Sequence, residues 1–566
     1  MTNLNLSEKE ASDRLRWVDW IFIIFLLTFS ALFTLERIQW DYPHVFLGGD
    51  ASNIVSFALA KNHPDWYPKD FLLRERQNFD IYLQFHVLYT QWAEKLFGDA
   101  ILGFLSLLPI TILLYLGGLY FLGRTFFDHP VWAIAFTTLN ALPIYLPVDD
   151  IGIQTDPLPR TLFHGLLAIL LALLWKWRDK PERWWFLAAG LGGLVYIHAV
   201  STPAWILAIF SSFLYLMPPK WNKVERIKWT GGLCLVTLIT LVPFIQNYLQ
   251  NTLQERQLPL DLDYRSYMQI FTGYYGSPDL HDVLRTTRVT LSMLTQSGLL
   301  PFGILGLLAV TIRRDVKQRP QTALVLIWFA AIIMISMIIP YIEKIVERRL
   351  EILPIQTELL RGVRFIRFLL SLSLFLGIKS VLQNRNKIYL STLLGIGCAL
   401  LTIGIYNNPK TLEMIKFPRT ITCLKETKQL YCHRPSHFRE AILFLREQTP
   451  IDAAIFFAPK PTDTSALAVR YMAHRSLVYS WKDRGLGFVR PDKLLDWYQI
   501  YSNLKENKNP SRWLSRQPHQ FINFIQDIGA NYYVTLGYCV PQNVDSSEAG
   551  IRLIFQNADY SICEIY

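Results

Sequence analysis

The chain has 566 residues, of which 51% are hydrophobic and only 18% charged, and its mean hydropathy is +0.22. Soluble domains carry about a quarter charged residues, so the composition excludes an ordinary water-soluble protein. The net charge of +11 does not call for nucleic acid: the Lys and Arg residues gather in short loops between apolar runs, where the positive-inside rule accounts for them.

Before about residue 406 the apolar runs are long enough to cross a hydrocarbon core of about 30 Å as helices. The first runs from Val18 to Leu35 behind Arg14 and Arg16, which predicts a cytoplasmic N-terminus. It is too long for a cleaved signal peptide, and no small-residue cleavage site precedes Glu36 and Arg37. Further spans are predicted to start near Ala100, Val131, Leu162, Trp185, Pro203, Trp229, Leu294, Ala323, Phe365 and Ile388, about eleven in all. Basic loops around Lys176–Arg183, Lys220–Lys228, Arg313–Arg319 and Lys379–Lys387 then fall on one side, which the same rule makes cytoplasmic. An odd number of spans places the C-terminal part outside.

The predicted fold is therefore an α-helical polytopic membrane protein with a C-terminal soluble α/β domain. Residues 1–406 form the membrane domain, with large external loops at about 38–99 and 247–297, and residues 407–566 form the extracytoplasmic domain. The first loop holds amphipathic pieces at Ser52–Asn62 and Tyr82–Leu96. The second carries the aromatic cluster Tyr264, Tyr267, Phe271, Tyr274 and Tyr275. In the tail, helical periods at Phe438–Gln448, Ala466–His474, Pro491–Asn507 and His519–Ile528 alternate with strand-like ones. The strands are expected at Ala453–Phe457, Ser476–Ser480, Tyr532–Leu536, Ile551–Phe555 and Ser561–Tyr566. This alternation indicates an α/β layer ending in an antiparallel hairpin, and no nucleotide-binding glycine motif occurs in it. Of its cysteines, Cys423–Cys432 is the more plausible bridge and Cys539–Cys563 the less plausible; free thiols are the alternative.

Four groups of residues could carry chemistry. Asp50, in Gly48-Gly49-Asp50-Ala51-Ser52, opens an amphipathic helix just above the membrane. It reads either as a helix N-cap or as a general base taking a proton from an acceptor. Asp149, Asp150 and Asp156 lie in a Pro-flanked run at a membrane boundary, where carboxylates must face water or protein. They read as loop and cap residues, as supporting acids, or with a phosphate as ligands of Mg²⁺ or Mn²⁺. His198, at the outer end of a span, and His86 are further candidates, against the plainer reading of a histidine bonded to a backbone carbonyl. No zinc-type spacing occurs. In the tail, Arg470, Arg475, Lys482, Arg484 and Arg490 accompany Tyr471, Tyr479 and Trp481, either as a surface for an acidic glycan or lipid headgroups or as a solvated basic face.

A cytoplasmic N-terminus, a large first external loop with an early Asp and two amphipathic helices, about eleven spans and an external C-terminal domain together resemble the GT-C superfamily of membrane glycosyltransferases. The resemblance is architectural and covers the whole chain. It implies a polyprenyl-phosphate-linked sugar as donor, inversion at the anomeric carbon, and a place in the plasma (inner) membrane among its lipids. It maps the acid of the first external loop onto Asp50 and a second acid onto Asp149, Asp150 or Asp156. The donor phosphate would meet arginine, which binds it by paired hydrogen bonds. Arg361, Arg364 and Arg367, spaced three apart at the entrance to a span, suit this, with Arg74, Arg76 and Arg160 as weaker candidates; snorkelling to headgroups is the alternative. The acceptor, whether glycan, lipid or protein, is left open, and no nucleic-acid partner is implied. Two rival classes remain: a lipid-linked glycan transporter or flippase, which would show midplane charges and repeats, and a non-catalytic assembly protein of the same architecture.

Overall fold

The computed structural model describes residues 2–41, 45–80, 83–142, 144–145, 150–252, 267, 270, 280–296, 298–312, 319–350, 359–382, 436–457, 465–488, 490–507, 510–539 and 550–566. Apolar runs become helices because a segment in lipid must satisfy every backbone N–H and C=O internally. The helices that matter below are α1 (Thr2–Asp41), α2 (Gly49–Asn62), α3 (Phe85–Phe97), α4 (Leu108–Phe127), α5 (Pro130–Ala141), α6 (Pro159–Lys176), α7 (Trp184–Gly193), α8 (Thr202–Leu216), α9 (Lys223–Thr252), α10 (Leu299–Ile312), α11 (Arg319–Ile333) and α12 (Phe365–Leu382). Those of the C-terminal part are α13 (His437–Gln448), α14 (Ala468–Tyr471), α15 (Pro491–Glu506) and α16 (Pro518–Asp527).

The protein is a multi-pass membrane protein. Among the described residues, five helical stretches are long and apolar enough to cross a bilayer: Trp17–Ile38, Ala100–Phe127, Pro159–Lys176, Lys223–Asn251 and Pro320–Glu343. A sixth is the pair Thr287–Gln296 and Leu299–Thr311, bent by 80°. Other predicted spans are shorter helices. Those expected near Val131, Trp185 and Pro203 are α5, α7 and α8, of 12, 10 and 15 residues. At 1.5 Å per residue even the longest of these rises only about 23 Å. The expected span at Phe365 is α12, 18 residues including Arg367 and Lys379, and the one at Ile388 lies outside the described residues.

The chain forms two compact units. The first comprises Met1–Leu35, Leu107–Phe244 and Pro278–Arg419. Its helices approach closely where glycines face each other, as membrane helices do when small residues let backbones touch. A Cβ on Gly165 would lie 2.4 Å from the carbonyl oxygen of Leu114, and one on Gly118 2.2 Å from that of Gly165, so α4 and α6 pack backbone to backbone. Gly306 of α10 and Gly377 of α12 meet in the same way. Between α5 and α12, Asn140 and Ser371 bond each other in the apolar core, the amide of Asn140 donating over 2.9 Å.

The second unit comprises Glu36–Ser106, Ile245–Ser277 and Thr420–Tyr566, so the first long loop folds together with the C-terminal part. Its five-stranded sheet consists of β1 (Ala454–Phe457), β2 (Ser476–Leu477), β3 (Tyr532–Leu536), β4 (Ile551–Gln556) and β5 (Tyr560–Ile565), in the order β2-β1-β3-β5-β4. β1 is parallel to β2 and β3, whereas β5 is antiparallel to β3 and β4 and makes the expected terminal hairpin. All four residues of β1 are buried, as a strand covered on both faces requires. The five expected strands are present within a few residues of their predicted ends, and the helices α13, α15 and α16 match as closely. Cys539 and Cys563 form a disulfide with Cα atoms 6.2 Å apart, joining the segment after β3 to β5. The expectation that this pair is the less plausible bridge is thereby corrected: pairing of β3 with β5 brings the two together, which their spacing in the chain does not reveal. Cys423 and Cys432 lie outside the described residues.

Candidate functional site

In the second unit, α2 starts without a side-chain cap. Gly48 is the N-cap, in extended conformation, and Asp50 sits in the first turn. The N-cap reading of Asp50 is therefore corrected by two positions, from N-cap to the second helical residue, where its charge still meets the positive end of the helix dipole. Its carboxylate is partly exposed and accepts a hydrogen bond from Lys482 Nζ at 2.8 Å, a residue more than four hundred positions later. Gly49 leaves room for this approach, since a Cβ there would come within 3.1 Å of Lys482 Cε and 3.2 Å of its Nζ.

The residue after Lys482, Asp483, belongs to a fully buried ionic network. Arg470, in α14, donates from Nε to Asp70 Oδ2 at 2.8 Å and from Nη1 and Nη2 to the two oxygens of Asp483 at 2.7 and 2.8 Å. All three side chains are shielded from solvent. Asp70 also accepts from the backbone N–H groups of Leu72, Leu73 and Leu477, so its lone pairs are saturated. Burial opposes the charge on Arg470, but Asp483 and Asp70 outweigh it and hold the guanidinium more firmly protonated than usual. Tyr67 donates to the carbonyl of Arg470 at 2.8 Å, and its phenol is pushed well above the ordinary tyrosine value, chiefly by burial. A second tie joins Arg490 Nη1 to Glu75 at 2.9 Å. The basic residues of the C-terminal part are thus not one solvated face: Arg470 and Arg475 are interior, and Arg484 lies over the Trp481 ring at 4.1 Å.

The other candidates of this unit are placed as follows. Arg74 is exposed and bonds its neighbour Glu75 at 3.3 Å. His86, in α3, is fully buried, and neither ring nitrogen has a hydrogen-bond partner among the described residues. Burial drives its pKa down to about 3, which favours the neutral imidazole.

Asp156, Arg361, Arg364 and His198 belong to the first unit. Arg364 is buried and donates from Nη2 to Ser201 Oγ at 2.8 Å. Arg367, three residues on, is equally buried; its Nη2 donates to the carbonyls of Leu139 and Leu142, both at 2.8 Å, at the end of α5. Nε and Nη1 of Arg367 make no hydrogen bond among the described residues. His164 packs edge-on against Phe368 at 4.9 Å, and His198 against Phe163 at 6.0 Å. The stripe of arginines, the start of α6 and the segment His198–Ser201 thus converge within this unit. Arg361 stands half-buried in the same short helix as Arg364. Asp156 is buried. Asp150 is described only as backbone, in a two-residue strand pairing with Tyr145, and Asp149 lies outside the described residues.

Sequence reasoning did not find Asp70, Asp483 or the pairing of Lys482 with Asp50. The partners are separated by 400 or more positions, except for Arg470 and Asp483, which are 13 apart across a strand. No local pattern marks them. Among the described residues no group of three or more His, Cys, Asp or Glu side chains is arranged to hold a metal ion.

No family model matches the chain, and no curated protein matches it in sequence. Solved structures similar to it include the following two. One is the oligosaccharyltransferase of Archaeoglobus fulgidus in complex with Zn and sulfate, 14% identical, with a TM-score of 0.41, covering 90% of this chain and 68% of that one. The other is ArnT from Cupriavidus metallidurans bound to undecaprenyl phosphate, 11% identical, with a TM-score of 0.41, covering 96% of this chain and 97% of that one.

Proposed function

We propose that the protein is a membrane glycosyltransferase that moves a sugar from a polyprenyl-phosphate donor to an acceptor at the extracytoplasmic face. The observation that carries this reading is the carboxylate of Asp50. It is partly exposed at the start of α2, fixed by Lys482 at 2.8 Å, and backed by the buried Asp70–Arg470–Asp483 network. A carboxylate held at one point by a rigid support is what a general base needs, because it must meet its proton within hydrogen-bond distance.

In the proposed step an acceptor hydroxyl or amine gives its proton to Asp50 while its oxygen or nitrogen bonds to the anomeric carbon. The bond from that carbon to the phosphate oxygen breaks, and its electron pair leaves with the polyprenyl phosphate. One displacement without an enzyme nucleophile inverts the anomeric centre. The leaving phosphate gains negative charge, which Arg361 and Arg364 are assigned to receive, with Arg367 behind them. Lys482 keeps the Asp50 carboxylate oriented, and Asp156 is assigned a supporting role.

The orientation of the chain is part of the same proposal. Asp70 and Arg470 share one buried ion pair, which supports placing the first loop and the C-terminal part on the same side of the membrane. The basic loops support the cytoplasm as the other side.

The test is sugar transfer from polyprenyl-phosphate donors by the purified protein in liposomes, wild type against Asp50→Asn. Turnover in the wild type that falls by roughly 10²-fold or more in the variant supports the assignment, in line with loss of a general base. Equal turnover removes Asp50 from the mechanism. Absence of turnover with every donor, combined with donor translocation across the bilayer, gives the transporter reading instead.

A further inference from the structure

Away from Asp50, the second unit holds a cavity of about 420 Å³ between the C-terminal halves of α2 and α3 and the segment after α14. One part of its lining is a stack of three rings. His63 lies on one face of Trp66 at 4.0 Å and His474 on the other at 4.1 Å, with interplanar angles of 8° and 15°. Beside the stack, the carboxylate of Glu94, largely buried, accepts from Asn62 Nδ2 at 2.6 Å and from His63 Nε2 at 2.8 Å. A carboxylate has about four lone-pair positions, so two bonds leave acceptor capacity toward the cavity. The cations Lys95 and Arg446 lie at its exposed rim, and Leu59, Ile101 and Met472 supply apolar lining.

His474 is also one of the two non-glycine residues with a left-handed backbone among the described residues, at φ 55°. That conformation costs a side-chain-bearing residue roughly 1–2 kcal/mol, and such strain gathers where a side chain must be held in place. Here it turns the ring onto Trp66 while the carbonyl accepts from Arg475 Nη1 at 3.1 Å. Burial, helped by Arg446, Arg475 and His63, drives the His474 pKa down to about 3, so the ring is neutral at working pH. The groups that face these imidazoles are Asn62 from α2, Glu94 from α3, Trp66, and the cations Arg446 and Arg475.

We propose that this cavity is a carbohydrate-binding site that seats one sugar unit of a glycan. Its volume lies within the range of about 300–1,000 Å³ typical of small-ligand sites. Its lining alternates fixed acceptors and donors with apolar walls, as a hydroxylated ring with C–H faces requires. A free phosphate or other small anion would have to face the Glu94 carboxylate. A lipid tail would leave the remaining acceptor positions of the Glu94 carboxylate unfilled, at a cost of about 1–3 kcal/mol for an unsatisfied buried group. The inference stands apart from the transferase reading, because binding is measured with no donor present.

The test is saturation-transfer NMR on the full chain in lipid nanodiscs, with the methyl glycosides of glucose, mannose, galactose and N-acetylglucosamine as probes and inorganic phosphate and glycerol as comparators. The expected result is saturation transfer to at least one glycoside, with affinity reduced tenfold or more in Glu94→Gln. His474→Asn, which tolerates the left-handed backbone, should weaken binding as well while the melting temperature stays near wild type. Asp50→Asn should bind as wild type does. Absence of transfer to every glycoside, undiminished binding in both cavity variants, or preferential binding of phosphate overturns the proposal. Loss of binding in Asp50→Asn with retention in Glu94→Gln places the sugar elsewhere and overturns it equally.

Discussion

Removing one member of the buried ionic network is the sharpest perturbation the structure offers. Arg470 makes three charge-assisted bonds, to Asp70 and both oxygens of Asp483, and all three side chains are fully enclosed. Breaking such a pair from one side leaves an uncompensated buried charge and costs about 3–5 kcal/mol. At 1.36 kcal/mol per factor of ten, the open form of the second unit should rise by roughly two to four powers of ten. Native-state proteolysis of the full chain in detergent reads this population directly when opening is fast relative to cleavage. Arg470→Ala, which strands both carboxylates, should accelerate cleavage on that scale, and Asp70→Ala, in which Arg470 keeps Asp483, by less. The double variant should cost less than the sum, because the Asp70–Arg470 bond is then lost once and Asp483 alone is left without its partner. Raising salt should change the wild type little, since screening acts weakly on enclosed charges. Single effects that add to within about 0.5 kcal/mol in the double variant would refute the argument, because additivity marks residues that do not interact.

Gly49→Ala places a methyl group 3.1 Å from Lys482 Cε, so the lysine must shift by a few tenths of an ångström; sugar transfer should drop several-fold with little change in melting temperature. Gly165→Leu pushes side-chain atoms into the Leu114 carbonyl of the facing helix and should cost at least about 1–3 kcal/mol from overpacking, read as lost thermal stability of the purified protein. Peptide mapping without reductant should recover residues 539 and 563 in one cross-linked species, and Cys563→Ser should lower stability by about 2–4 kcal/mol. The depressed His474 pKa of about 3 against 6.5 in the unfolded chain means that the unfolded state binds an extra proton between these values. Stability from this residue is therefore complete above about pH 6.5 and lost progressively toward pH 3; His474→Asn should flatten the acid limb of a stability–pH curve, and an unchanged limb would contradict the burial argument.

Most of the C-terminal fold is legible in the sequence because its elements announce themselves locally. Val534 and its neighbours alternate or run apolar over a strand's length, and α13 shows a helical period, so both types are set by periodicity alone. Hydropathy identifies apolar runs but not where a helix breaks, which is why α5 and α7 are shorter than a bilayer requires. Arg470 shows where sequence reasoning fails. Among Arg475, Lys482 and Arg484 it looks like part of a charged surface, and only a contact with Asp70, 400 positions away, turns it into a core residue. Asp50 lay at the right helix end, yet its partner Lys482 carries no mark in the sequence. Burial of charge is decided by tertiary pairing, and a linear pattern has no access to it.

The span of 400 positions between Asp70 and Arg470 also has a meaning in time. At ribosomal rates of about 5–20 residues per second, the loop waits roughly 20–80 seconds between the synthesis of Asp70 and that of its guanidinium partner. During that interval the intervening hydrophobic helices enter the bilayer while the Asp70 carboxylate has only water and the local amides of Leu72 and Leu73 to meet. The amphipathic helices flanking it must therefore be held by something other than their final neighbours until translation nears its end. A transcript truncated before Arg470 would yield inserted helices carrying a loop that never closes, and quality-control proteases would meet that loop first.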